Sequence, residues 1–137
     1  MRTAIDTNVF SSLWTGEASV PRLLVQLKDA AEAGALLISP VVFAELHAYP
    51  GMTGPRLRNM LEVTGVLFDL RIEERVWTEA GHRFAKYAAR RRRATGEGPR
   101  RLVADFAIGA HALLQADRLL TLDPKVYERE FPELRLL

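Results

Sequence analysis

The 137-residue chain contains no cysteine. Disulfides, thiolate metal sites and cysteine nucleophiles are therefore excluded, and the composition suits a reducing compartment. Long apolar runs are also missing: nothing approaches the roughly 20 residues of a membrane span. Met1 is followed by a charged residue and a short apolar stretch ending at Asp6, without the h-region of a signal peptide. A cytoplasmic protein with no membrane partner is expected. Low-complexity tracts, internal repeats and linkers are absent too. With 48% hydrophobic and 26% charged residues, the chain has the balance of an ordinary globular protein, and one domain spanning residues 1–137 is expected.

What is present reads as strands alternating with helices. Arg2–Ile5 is a strand candidate running into the polar trio Asp6-Thr7-Asn8, which suits a turn and helix start. After Pro21, the residues Leu23, Leu24, Leu27, Ala30 and Ala31 recur at helical spacing, and Gly34 closes that helix before the strand Leu36–Ile38. Ser39-Pro40 reads as an N-cap and first helical residue for a helix to Ala48, ended by Tyr49-Pro50-Gly51. A short helix over Pro55–Val63 and a strand over Val66–Phe68 follow. The longest helical pattern carries Ile72, Val76, Ala80, Phe84, Tyr87 and Ala88 on one face and ends in arginines. The next has Leu102, Val103, Phe106, Ala110, Leu113 and Leu114. Leu119–Leu122 is a strand, Lys125–Glu130 a helical turn or two, and Leu134–Leu137 a last strand. This alternation predicts an α/β fold with a mainly parallel sheet of about five strands covered on both faces.

Ligands of open parallel sheets bind beyond the carboxyl ends of the strands. Asp6 and Asp123 each follow an apolar strand candidate there, although a lone aspartate in such a place is ordinarily a turn or cap residue. Glu45 shares a helix face with Val41, Val42 and Tyr49, where an unpaired carboxylate is unusual, so it is either ion-paired or a cation ligand. Asp105 lies on the flank of its helix, a position that alone fits a solvated surface acid. Together the four fall where strands end or helices begin, at one edge of the sheet. Carboxylates gathered so closely raise one another's pKa unless a cation compensates them. Mg²⁺ or Mn²⁺ takes oxygen ligands and would equip such a site for phosphodiester hydrolysis.

The ordered set Ile5-Asp6-Thr7-Asn8, Glu45, Ala104-Asp105-Phe106 and Thr121-Leu122-Asp123 resembles the PIN-domain nucleases, among them the compact VapC-type toxins. The resemblance spans nearly the whole chain. It implies a three-layer α/β/α fold, Mg²⁺- or Mn²⁺-dependent endoribonuclease activity, homodimerisation and a cognate antitoxin. Carried over by position, Asp6, Glu45, Asp105 and Asp123 are the catalytic, metal-binding acids, Asn8 and Thr121 are polar residues that support them, and Thr7 helps to cap the first helix. The last motif departs from many relatives, which continue with Asn and a further Asp where this chain has Leu122-Asp123-Pro124.

Arg90, Arg91, Arg92, Arg93, Arg100 and Arg101 form a basic block with a single nearby acid, Glu97. Such a block reads either as a solvated helix end or as a contact for the phosphate backbone of RNA. His47, His82 and His111 lack metal-ligand spacing and read as structural, as do Asp69 and Asp117 as turn residues; Trp14 and Trp77 read as core or interface residues. Two other functions compete with the nuclease. One is a non-catalytic RNA-binding module on the same fold. The other is a phosphotransferase using Asp6 as nucleophile, which would want an acid where Asn8 stands.

Overall fold

The computed structural model describes residues 1–101 and 103–137. Its elements run β1 (Arg2–Ile5), α1 (Thr7–Thr15), α2 (Val20–Ala33), β2 (Ala35–Ile38), α3 (Pro40–Leu46), α4 (Gly54–Thr64), β3 (Leu67–Phe68), α5 (Glu74–Thr95), α6 (Val103–Gln115), β4 (Arg118–Leu120) and α7 (Pro124–Glu130). Leu102, at the head of the α6 pattern, lies outside the described residues. The strands form one parallel sheet in the order β3-β2-β1-β4. Thr3, Ala4 and Ile5 are all buried, as are Leu36–Ile38 and Arg118–Leu120. Successive strand residues point to opposite faces, so uninterrupted burial means that helices cover both sides, giving three layers.

Among the described residues four strands are present where about five were expected. The segment Leu134–Leu137 makes one parallel bridge, Leu136 to Leu119, rather than a fifth strand. Its backbone still lies along β4: Leu119 donates to the carbonyl of Arg135 and Leu137 to that of Leu119, both at 2.9 Å.

Helix boundaries follow local chemistry. The Ser39 hydroxyl accepts from the Val42 amide and Pro40 opens α3, while α1, α4 and α5 end on Gly16, Gly65 and Gly96, each with positive φ. Thr7 is not the cap expected of it. Asp6 takes that place, its carboxylate accepting from the Thr7 amide at 2.7 Å, which leaves the Thr7 hydroxyl free for another partner.

Elsewhere, His111 is buried on α6 and Nε2 lies 3.0 Å from Asp69, whose carboxylate also accepts from Arg2 and Gln115. His47 holds the Phe43 carbonyl through Nδ1 at 2.8 Å. Trp14 packs edge-on against Tyr49 with ring centroids 4.8 Å apart, whereas Trp77 is 49% exposed and so is not a core residue. Among the described residues no helix is long and apolar enough to cross a membrane.

Candidate active site

A parallel sheet sends every strand out at the same edge, and each returning helix starts from that edge. Asp6 therefore leaves β1 there, Glu45 projects from the helix after β2, Asp105 sits in the first turn of α6, and Asp123 follows β4 by way of Thr121 and Leu122. All four line one open cleft of about 620 Å³, together with Thr7, Asn8, Glu17 and Tyr127.

Asp6 is the most constrained of the acids. It is 6% exposed, and besides the Thr7 amide its carboxylate accepts from the Thr121 hydroxyl at 2.8 Å, the Tyr127 hydroxyl at 3.0 Å and the Asn8 amide at 3.2 Å. Asn8 also donates to Thr121 at 3.2 Å and accepts from the Leu122 amide at 3.0 Å, which ties the end of β4 to the start of α1. Burial pushes the Asp6 carboxyl above the usual range; the Thr121, Tyr127 and Thr7 hydrogen bonds pull it down, and Asp123 adds like-charge repulsion. Glu45 accepts from the Thr7 hydroxyl, so consecutive residues Asp6 and Thr7 hold both β1 and α3 at the site.

Asp105 is half-buried and its carboxyl is likewise raised. Burial is the main cause; Arg101 opposes it, and Asp6, Glu45 and Asp123 add to it. Asp123 meets Arg101, Nη1 to Oδ2 at 3.4 Å. Among the described residues that is the one Lys or Arg ion pair made by any of the four acids. The cleft thus carries more negative charge than the protein compensates.

A divalent cation fits that charge. The geometry is looser: among the described residues no three carboxylates or histidines lie close enough to hold one ion between them. Mg²⁺ commonly binds through one or two carboxylates and keeps several waters, so an open set of this kind matches its habits better than a closed cage would.

The arginine block divides. Arg90 pairs with Glu130 at 2.6 Å, and Arg91 with Glu97 at 2.8 Å and the Gly98 carbonyl at 2.6 Å. Arg92 and Arg93 are exposed at the end of α5, and exposed Arg100 lies 3.5 Å from Glu97. Of the six, Arg101 alone reaches a cleft carboxylate among the described residues.

The PIN domain family matches residues 3–132 of the chain. The protein belongs to the PIN domain family. This PIN protein is similar in fold to the VapBC2 assembly of Rickettsia felis bound to a promoter DNA fragment, at 18% identity and TM-score 0.67, covering 100% of this chain and 98% of the other. It is similar also to VapBC-1 of nontypeable Haemophilus influenzae, at 20% identity and TM-score 0.66 over 100% and 97% of the two chains. FitAcB of Neisseria gonorrhoeae aligns at 18% identity and TM-score 0.62, over 98% and 96%. A comparison with curated proteins finds no match.

Sequence reasoning missed Tyr127. Its ring is 1% exposed, and a buried tyrosine hydroxyl needs a partner; that partner is Asp6, and no local sequence signal marks it. Replacing Tyr127 with Phe is expected to lower stability by about 1 kcal/mol, since Asp6 keeps its other donors. Mn²⁺ affinity, read by calorimetry, should fall roughly tenfold, the low end of the effect for residues that orient a metal ligand. Unchanged Mn²⁺ affinity would make the hydroxyl a packing feature only.

Proposed function

We propose that this PIN domain, acting as one unit over residues 1–137, is a Mg²⁺- or Mn²⁺-dependent endoribonuclease and the toxin of a type II toxin-antitoxin pair. The observation that carries the reading is the convergence of Asp6, Glu45, Asp105 and Asp123 on one cleft with negative charge left uncompensated. Asp6 and Asp105 would hold the cation, with Glu45 and Asp123 flanking it. Bound there, the ion would supply Lewis-acid activation of water and neutralisation of phosphate charge. The chain's own part is orientation. Thr121, Asn8 and Tyr127 fix Asp6, Thr7 fixes Glu45, and Asp105 leaves an oxygen open to the cleft to receive a proton or a water.

The partners belong to the same proposal: RNA as substrate, a cognate antitoxin, a second copy of the chain in a homodimer, and a cytoplasmic setting. Family membership and the fold shared with VapBC and FitAcB assemblies support the antitoxin. A second reading, a PIN-like module that binds RNA without turnover, draws on the absence of a tight three-ligand group among the described residues. Incubating the protein with cellular RNA separates the two. Cleavage that requires Mg²⁺ or Mn²⁺ and stops with chelator is expected; binding without cleavage under every cation would establish the non-catalytic module instead.

A further inference from the structure

Arg101 is the chain's own cation at the acidic cleft, and the loop that carries it is clamped from both sides. The backbone amides of Arg100 and Arg101 both donate to the Tyr87 hydroxyl at 3.0 Å. On the other arm Arg91 grips the Gly98 carbonyl and Glu97. Tyr87 and Arg91 stand one turn apart on α5, so that helix fixes the whole turn from Gly96, where the chain leaves α5 with φ +72°, to Arg101. A guanidinium held only for charge balance would not need its backbone fastened this way. The pair it makes is exposed, with the Arg101 and Asp123 side chains 43% and 47% accessible, and exposed pairs of this kind contribute little and exchange readily.

Resting on the ribonuclease reading, we propose that Arg101 is a substrate-positioning residue that exchanges Asp123 for a non-bridging phosphate oxygen of RNA entering the cleft. A guanidinium matches phosphate oxygens with a planar fork of donors, and its charge is permanent. In the free protein Asp123 occupies one donor and keeps the group aimed at the site. Any charge that neutralises Asp123 releases Arg101 toward the phosphate. The two roles assigned to this edge are thus coupled, with cation and RNA each favouring the arrangement that suits the other.

The coupling is tested without turnover, in chelator, by equilibrium binding of a fluorescent single-stranded RNA oligonucleotide of mixed sequence. Asp123→Asn frees Arg101 and is expected to tighten binding about tenfold, the effect of one charged hydrogen bond. Adding Arg101→Ala should remove most of that gain. Calorimetry with Mn²⁺ alone supplies the opposite sign: Arg101→Ala should bind Mn²⁺ severalfold more tightly, because a positive charge has left the carboxylates, whereas Arg92→Ala should not change it. An equal gain from Asp123→Asn with and without Arg101 would overturn the proposal and reduce Arg101 to a counter-charge. RNA coupling without Mn²⁺-dependent cleavage would support the positioning role while sinking the nuclease, and no RNA binding by either Arg101-containing protein would sink both.

Discussion

Asp105→Asn is expected to remove most RNA cleavage while leaving the protein at least as stable as the parent. Among the described residues the Asp105 carboxylate has no hydrogen-bond or ion-pair partner, so Asn breaks no contact. Its folded pKa is raised, chiefly by burial and further by Asp6, Glu45 and Asp123. A carboxyl raised on folding weakens the native state above its folded pKa, and that loss is recovered as pH falls through the folded value. At pH 7 the Asn variant lacks the penalty altogether. The positive end of α6 favours an acid in this first turn and offsets part of the gain. The melting temperature in chelator should therefore be unchanged or raised.

Mn²⁺ should then raise the melting temperature of the parent more than that of the variant, because a ligand that binds only the folded state stabilises in proportion to its affinity. Cleavage should fall by more than the roughly 10–100-fold that loss of a supporting residue costs at a metal site. Wild-type cleavage in this variant would refute the assignment of Asp105. Asp6→Asn is a poorer probe, since Asp6 caps α1 and accepts from Thr121, Tyr127 and Asn8, and its loss disturbs fold and chemistry together.

How far the sequence could be read depended on the range of the interaction involved. Ser39-Pro40 opening α3 and Gly34 after α2 are local signals, and the structure has both where the pattern put them. Asp6 and Asp123 stood out because a short apolar strand precedes each. The last segment failed as a strand because strand formation needs a partner along its length, and among the described residues only Leu136 bridges to β4. Tyr127 was invisible for a related reason: its hydroxyl meets a carboxylate 121 residues away. The arginine block shows both limits. Its charge is plain from composition, yet which arginines are occupied depends on Glu130 and Asp123, 40 and 22 residues along the chain. Thr7 sits in the right place with the wrong task, since two adjacent oxygen-bearing residues can each cap a helix and only the third dimension decides between them.

The second large effect is expected at a residue that carries no chemistry, Gly109 in the middle of α6, one turn along from Asp105. A Cβ there would lie 2.5, 2.7 and 2.8 Å from Cε2, Cζ and Cδ2 of Phe131. Alanine at an ordinary helical glycine stabilises by about 1 kcal/mol. Here Phe131 is 1% exposed, with the rings of Phe106 and Tyr127 at 6.2 and 6.3 Å and the Arg83 guanidinium 4.6 Å over its face, so it has nowhere to retreat. Overpacking of about 1–3 kcal/mol should outweigh the helical gain, and Gly109→Ala should melt several degrees lower. Adding Phe131→Leu should restore part of the loss, although that change alone leaves a cavity; such a favourable coupling marks two residues competing for one space. The strain should also reach the cleft, because Tyr127 packs on Phe131 and its hydroxyl holds Asp6. Mn²⁺ affinity should accordingly fall in Gly109→Ala and recover with the melting temperature in the double variant. If Gly109→Ala melts at the parent temperature, the ring yields freely, and the packing route from α6 through Phe131 to Asp6 does not constrain the site.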